Sequence, residues 1–215
     1  MKIEIKDEVF DKFNKKFLVG LIICKGLNNE GDSSEIHHML KELEEYIKLN
    51  FNPITIKTHD LISVWQTAVE GFGKVKNYKS SVEKMMEMAL KNKEIPRENL
   101  VGDLCNFISL KYIVPLDQID LEELSGDLEF GVKGKDLVLR EGGIIISKKF
   151  AYTKNKDYEV SKKTKDSLIY LEAIPPLTES RVLKIVEELA DLVKTFCKGR
   201  IKAGILNSKK KEIKI

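Results

Sequence analysis

The sequence predicts an α+β domain in which mixed antiparallel sheets are flanked by helices. Three observations carry that expectation. "FLVGLIICKGL", residues 17 to 27, is an almost unbroken apolar run, as a strand covered on both faces requires. Residues 126 to 150 alternate in hydrophobicity and are cut by glycines, as short antiparallel strands are. Several other stretches space their apolar residues three and four apart, the period of a helix with one buried face. With 215 residues, 42% hydrophobic and 33% charged, the chain can bury one substantial core and is too mixed to be disordered. Residues 1–206 read as one domain, single or bilobed, and the lysine-rich "NSKKKEIKI", 207–215, as a basic tail with a solvated end.

The opening "MKIEIKDEVF" mixes charge with hydrophobe and has no apolar signal region, and no later run approaches the roughly 18 apolar residues of a membrane span. A cytoplasmic protein with no membrane partner is therefore expected. After the first strand, "NNEGD" turns the chain, and Ser33 or Ser34 caps a helix that puts Ile36, Met39, Leu40, Leu43 and Ile47 on one face. His37 and His38 sit on it as surface histidines. A second helix, from about His59 to Glu70, buries Leu61, Ile62, Trp65 and Val69 and stops at "GFG", 71–73. A third opens at Ser80 or Ser81 and carries Val82, Met85, Met86, Ala89 and Leu90, its methionines serving as core filler.

Pro96 precedes the most informative helix. "NLVGDLCNFISL", 99–110, has Leu100, Val101, Leu104, Phe107 and Ile108 in an apolar stripe, and Asn99, Asp103 and Asn106 on the other side. A loop holding Asp117 and Asp120 follows. The residues alone leave two readings of this polarity open: carboxylates capping backbone ends beside a solvated asparagine, or side chains turned into a cleft. Beyond the loop, Leu128, Phe130 and Val132 share a strand face, with breaks at glycines 131, 134, 142 and 143. "LTESRVLKIVEELADLVKTFCKG", 177–199, returns to helix, capped by Thr178 or Ser180 and stopped by Gly199, with Val182, Val186, Leu189, Val193 and Phe196 inside.

Several chemistries are excluded on spacing. No phosphate-cradling glycine loop and no G-x-S-x-G elbow is present, and the three histidines make no triad with any marked serine. Cys24, Cys105 and Cys197 are odd in number and scattered, which suits small buried hydrophobes and neither disulfides nor zinc. No metal or other cofactor is expected. The net charge of +3 rests almost wholly on lysine, with only four arginines; this permits contact with a phosphate backbone without arguing for it.

A resemblance adds a function to this reading. "IPRENLVGDLCNFISLKYIVPLDQIDLEELSGDL", 95–128, resembles the B3/B4 domain of the bacterial phenylalanyl-tRNA synthetase β subunit. Its hallmark reads R-P-x-N-x-x-V-D-x-T-N-Y-V-x-x-x-x-G-Q-P-L-H-A-F-D, and Asn99, Asp103, Asn106, Pro115, Leu116 and Asp120 stand at the matching intervals without a gap. "YKSSVEKMMEMALKNKEIP", 78–96, is similar to a Y-R-P-S-x-E-A-L segment of free-standing members, and "SLIYLEAIPP", 167–176, to the L-L-E-A closing strand. None of the synthetase's catalytic modules is present.

The resemblance implies a B3/B4 fold and an editing site that hydrolyses an amino acid wrongly esterified to tRNA. It implies the aminoacylated 3′ end of tRNA as partner, not DNA. It places the family's pocket asparagine at Asn106 and its side-chain-sensing glutamate at Glu172. Asp117 replaces the family histidine, and the family's G-V-M-G-G loop has no clear counterpart in "KKFAYTKNKDYEV", 148–160. On this reading Asn106 and Asp117 carry the chemistry and Asn106 and Glu172 hold the substrate. Asn99, Asp103 and Asp120 are structural polar residues, with Asp103 holding a neighbouring backbone end. The alternatives are a non-catalytic tRNA- or partner-binding module of the same fold, and a pocket for a free amino acid.

Overall fold

The computed structural model describes residues 1–72, 78–97, 99–148 and 153–215. Two sheets and, among the described residues, seven α-helices enclose one contiguous apolar core. The chain opens with β1 (Lys2–Ile5) and a short α1 (Asp7–Lys12), neither of which periodicity announced, because four and six residues are too few to show a period. The apolar run becomes β2 (Leu18–Lys25), with seven of its eight residues buried. Next come α2 (Ser34–Asn50), a short α3 (Pro53–Thr58) that the sequence reading passed over, α4 (Asp60–Phe72), α5 (Ser81–Leu90) and α6 (Leu100–Tyr112). Asn52 and Thr55 build a reciprocal capping box for α3, with Pro53 at its first position. Helix α4 runs through Gly71 to Phe72; Gly73, the last residue of the expected stop, lies outside the described residues.

Asp117–Asp120, expected in a loop, form strand β3. β4 (Leu128–Lys133), β5 (Asp136–Glu141) and β6 (Ile144–Lys148) then run as an antiparallel meander, followed by β7 (Thr153–Lys154). Gly134 and Gly142 take φ of +63° and +54° in the tight turns. Gly131 is no break: it sits inside β4 opposite Val138. β8 (Ser167–Ala173) is buried throughout. α7 (Glu179–Cys197) has Thr178 Oγ1 as its cap and ends before Gly199, whose φ is +83°.

The last segment does not trail off. β9 (Arg200–Leu206) pairs with β2, and β10 (Glu212–Lys214), inside the stretch read as a solvated basic tail, pairs antiparallel with β1. Ile213 packs on the core while the charged residues around it face out, an alternation too short to be seen beside so many lysines. Ile215 N donates to Met1 O at 3.1 Å.

The larger sheet has the order β10-β1-β4-β5-β6-β7, with β1 and β4 parallel and every other pair antiparallel. The smaller sheet, β3-β8-β2-β9, is wholly antiparallel. The sheets share an aromatic seam: the Phe130 ring of the larger sheet meets Phe17 and, edge to face at 5.7 Å between centroids, Tyr170 of the smaller. On the opposite face of β2, α7 lies so close that a Cβ on Gly20 would stand 2.5 Å from Val186 Cγ2. α2, α5, α6 and α7 pack side by side. All three cysteines are buried free thiols. Among the described residues no helix is long and apolar enough to cross a membrane.

Candidate functional site

Helix α6 is positioned by a polar clamp at its start. Asn99, in extended conformation at the N-cap, accepts through Oδ1 from Gly102 N at 2.9 Å and donates through Nδ2 to Val160 O at 3.2 Å. Asn29 reinforces it: its Oδ1 accepts from Val101 N at 2.9 Å, and its Nδ2 donates to both Asn99 Oδ1 and Ser161 O. Both asparagines are buried, so these bonds replace lost solvation. Asn99 thus caps the helix, while Asn29 carried no signal in the sequence.

The other two polar positions of α6 part ways. Asp103 points at α2, where its Oδ2 meets His37 Nε2 at 2.7 Å. One expectation is corrected here: His37 is half-buried and paired, because α2 lies beside α6, and only His38 stands out in solvent. Asn106, one turn on, donates from Nδ2 to Pro96 O at 3.0 Å and faces a cavity of about 560 Å³.

Asp117 lines the same cavity from the first position of β3. It is 4% exposed, and three groups address its carboxylate. Gln118 N donates to Oδ1 at 2.8 Å, Tyr170 OH donates to Oδ2 at 2.6 Å, and the Lys154 ammonium on β7 pairs with Oδ1. Tyr170 is the register partner of Asp117 across β3 and β8, and Ser147 Oγ of the larger sheet stands 3.0 Å from the tyrosine hydroxyl. Burial first, and the Asp117 and Glu172 carboxyls second, push the Tyr170 hydroxyl far above the ordinary phenol range. Met85, Met88 and Leu116 give the cavity an apolar side, and Lys84, Lys156 and Glu159 add charge to its wall.

Glu172 follows Tyr170 by two residues on β8, so it shares that face of the smaller sheet. It is not on the cavity wall. Buried without a hydrogen bond or ion pair among the described residues, its carboxyl is pushed up to about 8, by desolvation first and by Asp117 second. The structure therefore brings Asn106 and Asp117 to one hollow and leaves Glu172 beside it, coupled through charge. Asp120 holds a turn: it accepts from Glu122 N at 2.9 Å and from the Thr164 hydroxyl.

Lys154 and Tyr170 went unmarked in the sequence. For Tyr170 a signal exists, since "IYLE" puts Tyr170 and Glu172 on one strand face; Lys154 reaches Asp117 from the other sheet, which no local pattern reveals. Of the stretch compared with the glycine-rich family loop, residues 149–152 lie outside the described residues. Among the described residues, no group of three or more His, Cys, Asp or Glu is placed to hold a metal ion. No protein-family model matches the chain, and no curated protein matches it.

Proposed function

We propose that the chain is a free-standing member of the B3/B4 family that binds the aminoacylated 3′ end of tRNA in the α5–α6–β3 cavity and hydrolyses a mischarged amino-acid ester in trans, in the cytoplasm. One observation carries the reading: Asn106 and Asp117, the two positions the hallmark aligns with pocket chemistry, come from different elements and line a single hollow of about 560 Å³, within the size range of small-molecule sites.

In this reading Asn106 Oδ1 accepts from the substrate ammonium, since Nδ2 is already committed to Pro96 O. Asp117 orients the attacking water, with the Lys154 ion pair and the Tyr170 hydroxyl fixing its rotamer. The aminoacyl ester is already activated, so no strong protein nucleophile is required. Glu172 acts on the substrate through Asp117 rather than by contact.

The test is deacylation of a panel of mischarged tRNAs by the purified chain. Cleavage of at least one is expected, with Asn106→Ala and Asp117→Asn each lowering kcat/KM about 100-fold while the far-ultraviolet spectrum is unchanged. A panel left intact by the wild-type protein overturns the reading. One observation favours a non-catalytic tRNA-binding module of the same fold as the second reading: the Asp117 carboxylate is already engaged by three groups. That alternative predicts salt-dependent tRNA binding without ester cleavage.

A further inference from the structure

A second group of chemistry-bearing side chains lies on the other side of Asp103, in a separate cleft of about 110 Å³. His37 Nε2 bonds Asp103 Oδ2 at 2.7 Å, and His37 Nδ1 stands 3.5 Å from Ser33 Oγ. The Asp103 side chain is buried at 3% exposure, while His37, 31% exposed, and Ser33, half-buried, reach the cleft wall. Ser33 occupies the N-cap position of α2, yet its side chain makes no capping bond. A serine there ordinarily accepts from an amide of the first turn; this one is turned to an imidazole instead. Arg97 and Lys162 put two cations on the same wall.

Against the sequence expectation that no histidine joins a serine triad, which could not see α6 bring Asp103 to His37, we infer that Ser33, His37 and Asp103 form an acyl-transfer site for small carboxylic esters, separate from the larger cavity. The Asp103 carboxylate holds His37 as the Nε2–H tautomer, which leaves the Nδ1 lone pair directed at Ser33. Ser33 Oγ attacks the ester carbonyl carbon and gives its proton to Nδ1. The tetrahedral oxyanion is stabilised by the Lys162 cation and by Arg97, whose guanidinium also stands 3.9 Å from Glu44 Oε1. Collapse breaks the bond to the leaving oxygen, which takes the proton from Nδ1, and an acyl-serine remains. Water then adds by the same route in reverse, releasing the acid and restoring Ser33. The distance of 3.5 Å is that of an unliganded pair, which tightens when substrate is bound.

The experiment uses the full chain with p-nitrophenyl acetate as substrate and a fluorophosphonate as label. Hydrolysis is expected, with a single phosphonyl adduct located by mass spectrometry on Ser33. Ser33→Ala should abolish the adduct and lower kcat/KM by about 100-fold or more, and Asp103→Asn, by reversing the tautomer, should lower it comparably. His38→Ala removes the adjacent exposed imidazole and should leave the rate unchanged, which separates the site from general imidazole catalysis. An adduct absent or carried on another residue, a Ser33→Ala variant as fast as the wild type, or a loss on His38→Ala equal to that on Ser33→Ala would each overturn the inference. If Asp103→Asn does not fold, the label and the Ser33 variant decide alone.

Discussion

A single carboxyl gives this protein a marked pH dependence. Glu172 titrates near 4.5 in an unfolded chain and at about 8 in the fold. Below pH 4.5 both states hold the proton. Between the two values the unfolded chain releases it while the native chain still binds it, so stability falls as the pH rises across this window and stays low above it. The loss is on the order of a few kcal/mol. Glu172→Gln removes that titration. The variant should be the more stable protein above about pH 8, with the difference fading toward pH 5, as measured by urea unfolding at several pH values. A wild-type profile as flat as the variant's would show that the carboxyl is not held neutral. Residue-scale legibility was uneven for the same reason. Asn106, Asp117 and Glu172 are visible as polar residues within apolar segments, but burial and partners depend on a second element. His37 looked like surface because nothing in "SSEIHHML" announces that α6 passes beside it.

At the scale of elements, long periodic segments declared themselves and short ones did not. The stripes of α2, α4, α5, α6 and α7 were legible because ten or more residues average out exceptions. β1, α1 and β10 were not, having at most six residues each and owing their existence to pairing and packing partners elsewhere in the chain. The α6 clamp illustrates how a cap becomes a tertiary joint. Asn99 satisfies the Gly102 amide, the Val160 carbonyl and the Asn29 amide at once. Asn99→Ala should therefore cost more than an ordinary cap, about 2 to 3 kcal/mol, and Asn99→Ser should recover about 1 kcal/mol by restoring the Gly102 bond alone. Denaturant midpoints at constant slope measure both. Because Asn99 lies on the wall of both hollows, the alanine variant should also impair whichever activity each one supports.

For the whole molecule, β10 covers the edge of β1 and ties the larger sheet to the smaller. Gly204 on β9 allows Ile213 Cδ1 to approach within 3.4 Å of where a Cβ would stand, and Lys202 Nζ donates to Lys214 O at 2.8 Å. Removing residues 212–215 strips β10 and the Lys2–Glu212 ion pair from the edge of β1. The truncated chain should lose about 1 to 3 kcal/mol, or about 3 to 10 °C in Tm. Amide exchange should speed up first in β1, and unchanged exchange there would show that β10 contributes nothing to closure.

The pairing of β1 with β4 on one side and β10 on the other also bears on how the protein is made. Its first strand finds neighbours only some 125 and 210 residues later, and β2 has no partner before β8. During synthesis the ribosome thus releases an amino-terminal third whose apolar strands are still unmatched. Neither sheet can be completed until the carboxyl-terminal strands have left the exit tunnel. Both sheets therefore close late in the order in which the chain emerges, with β2 as the segment most in need of shelter in the interval.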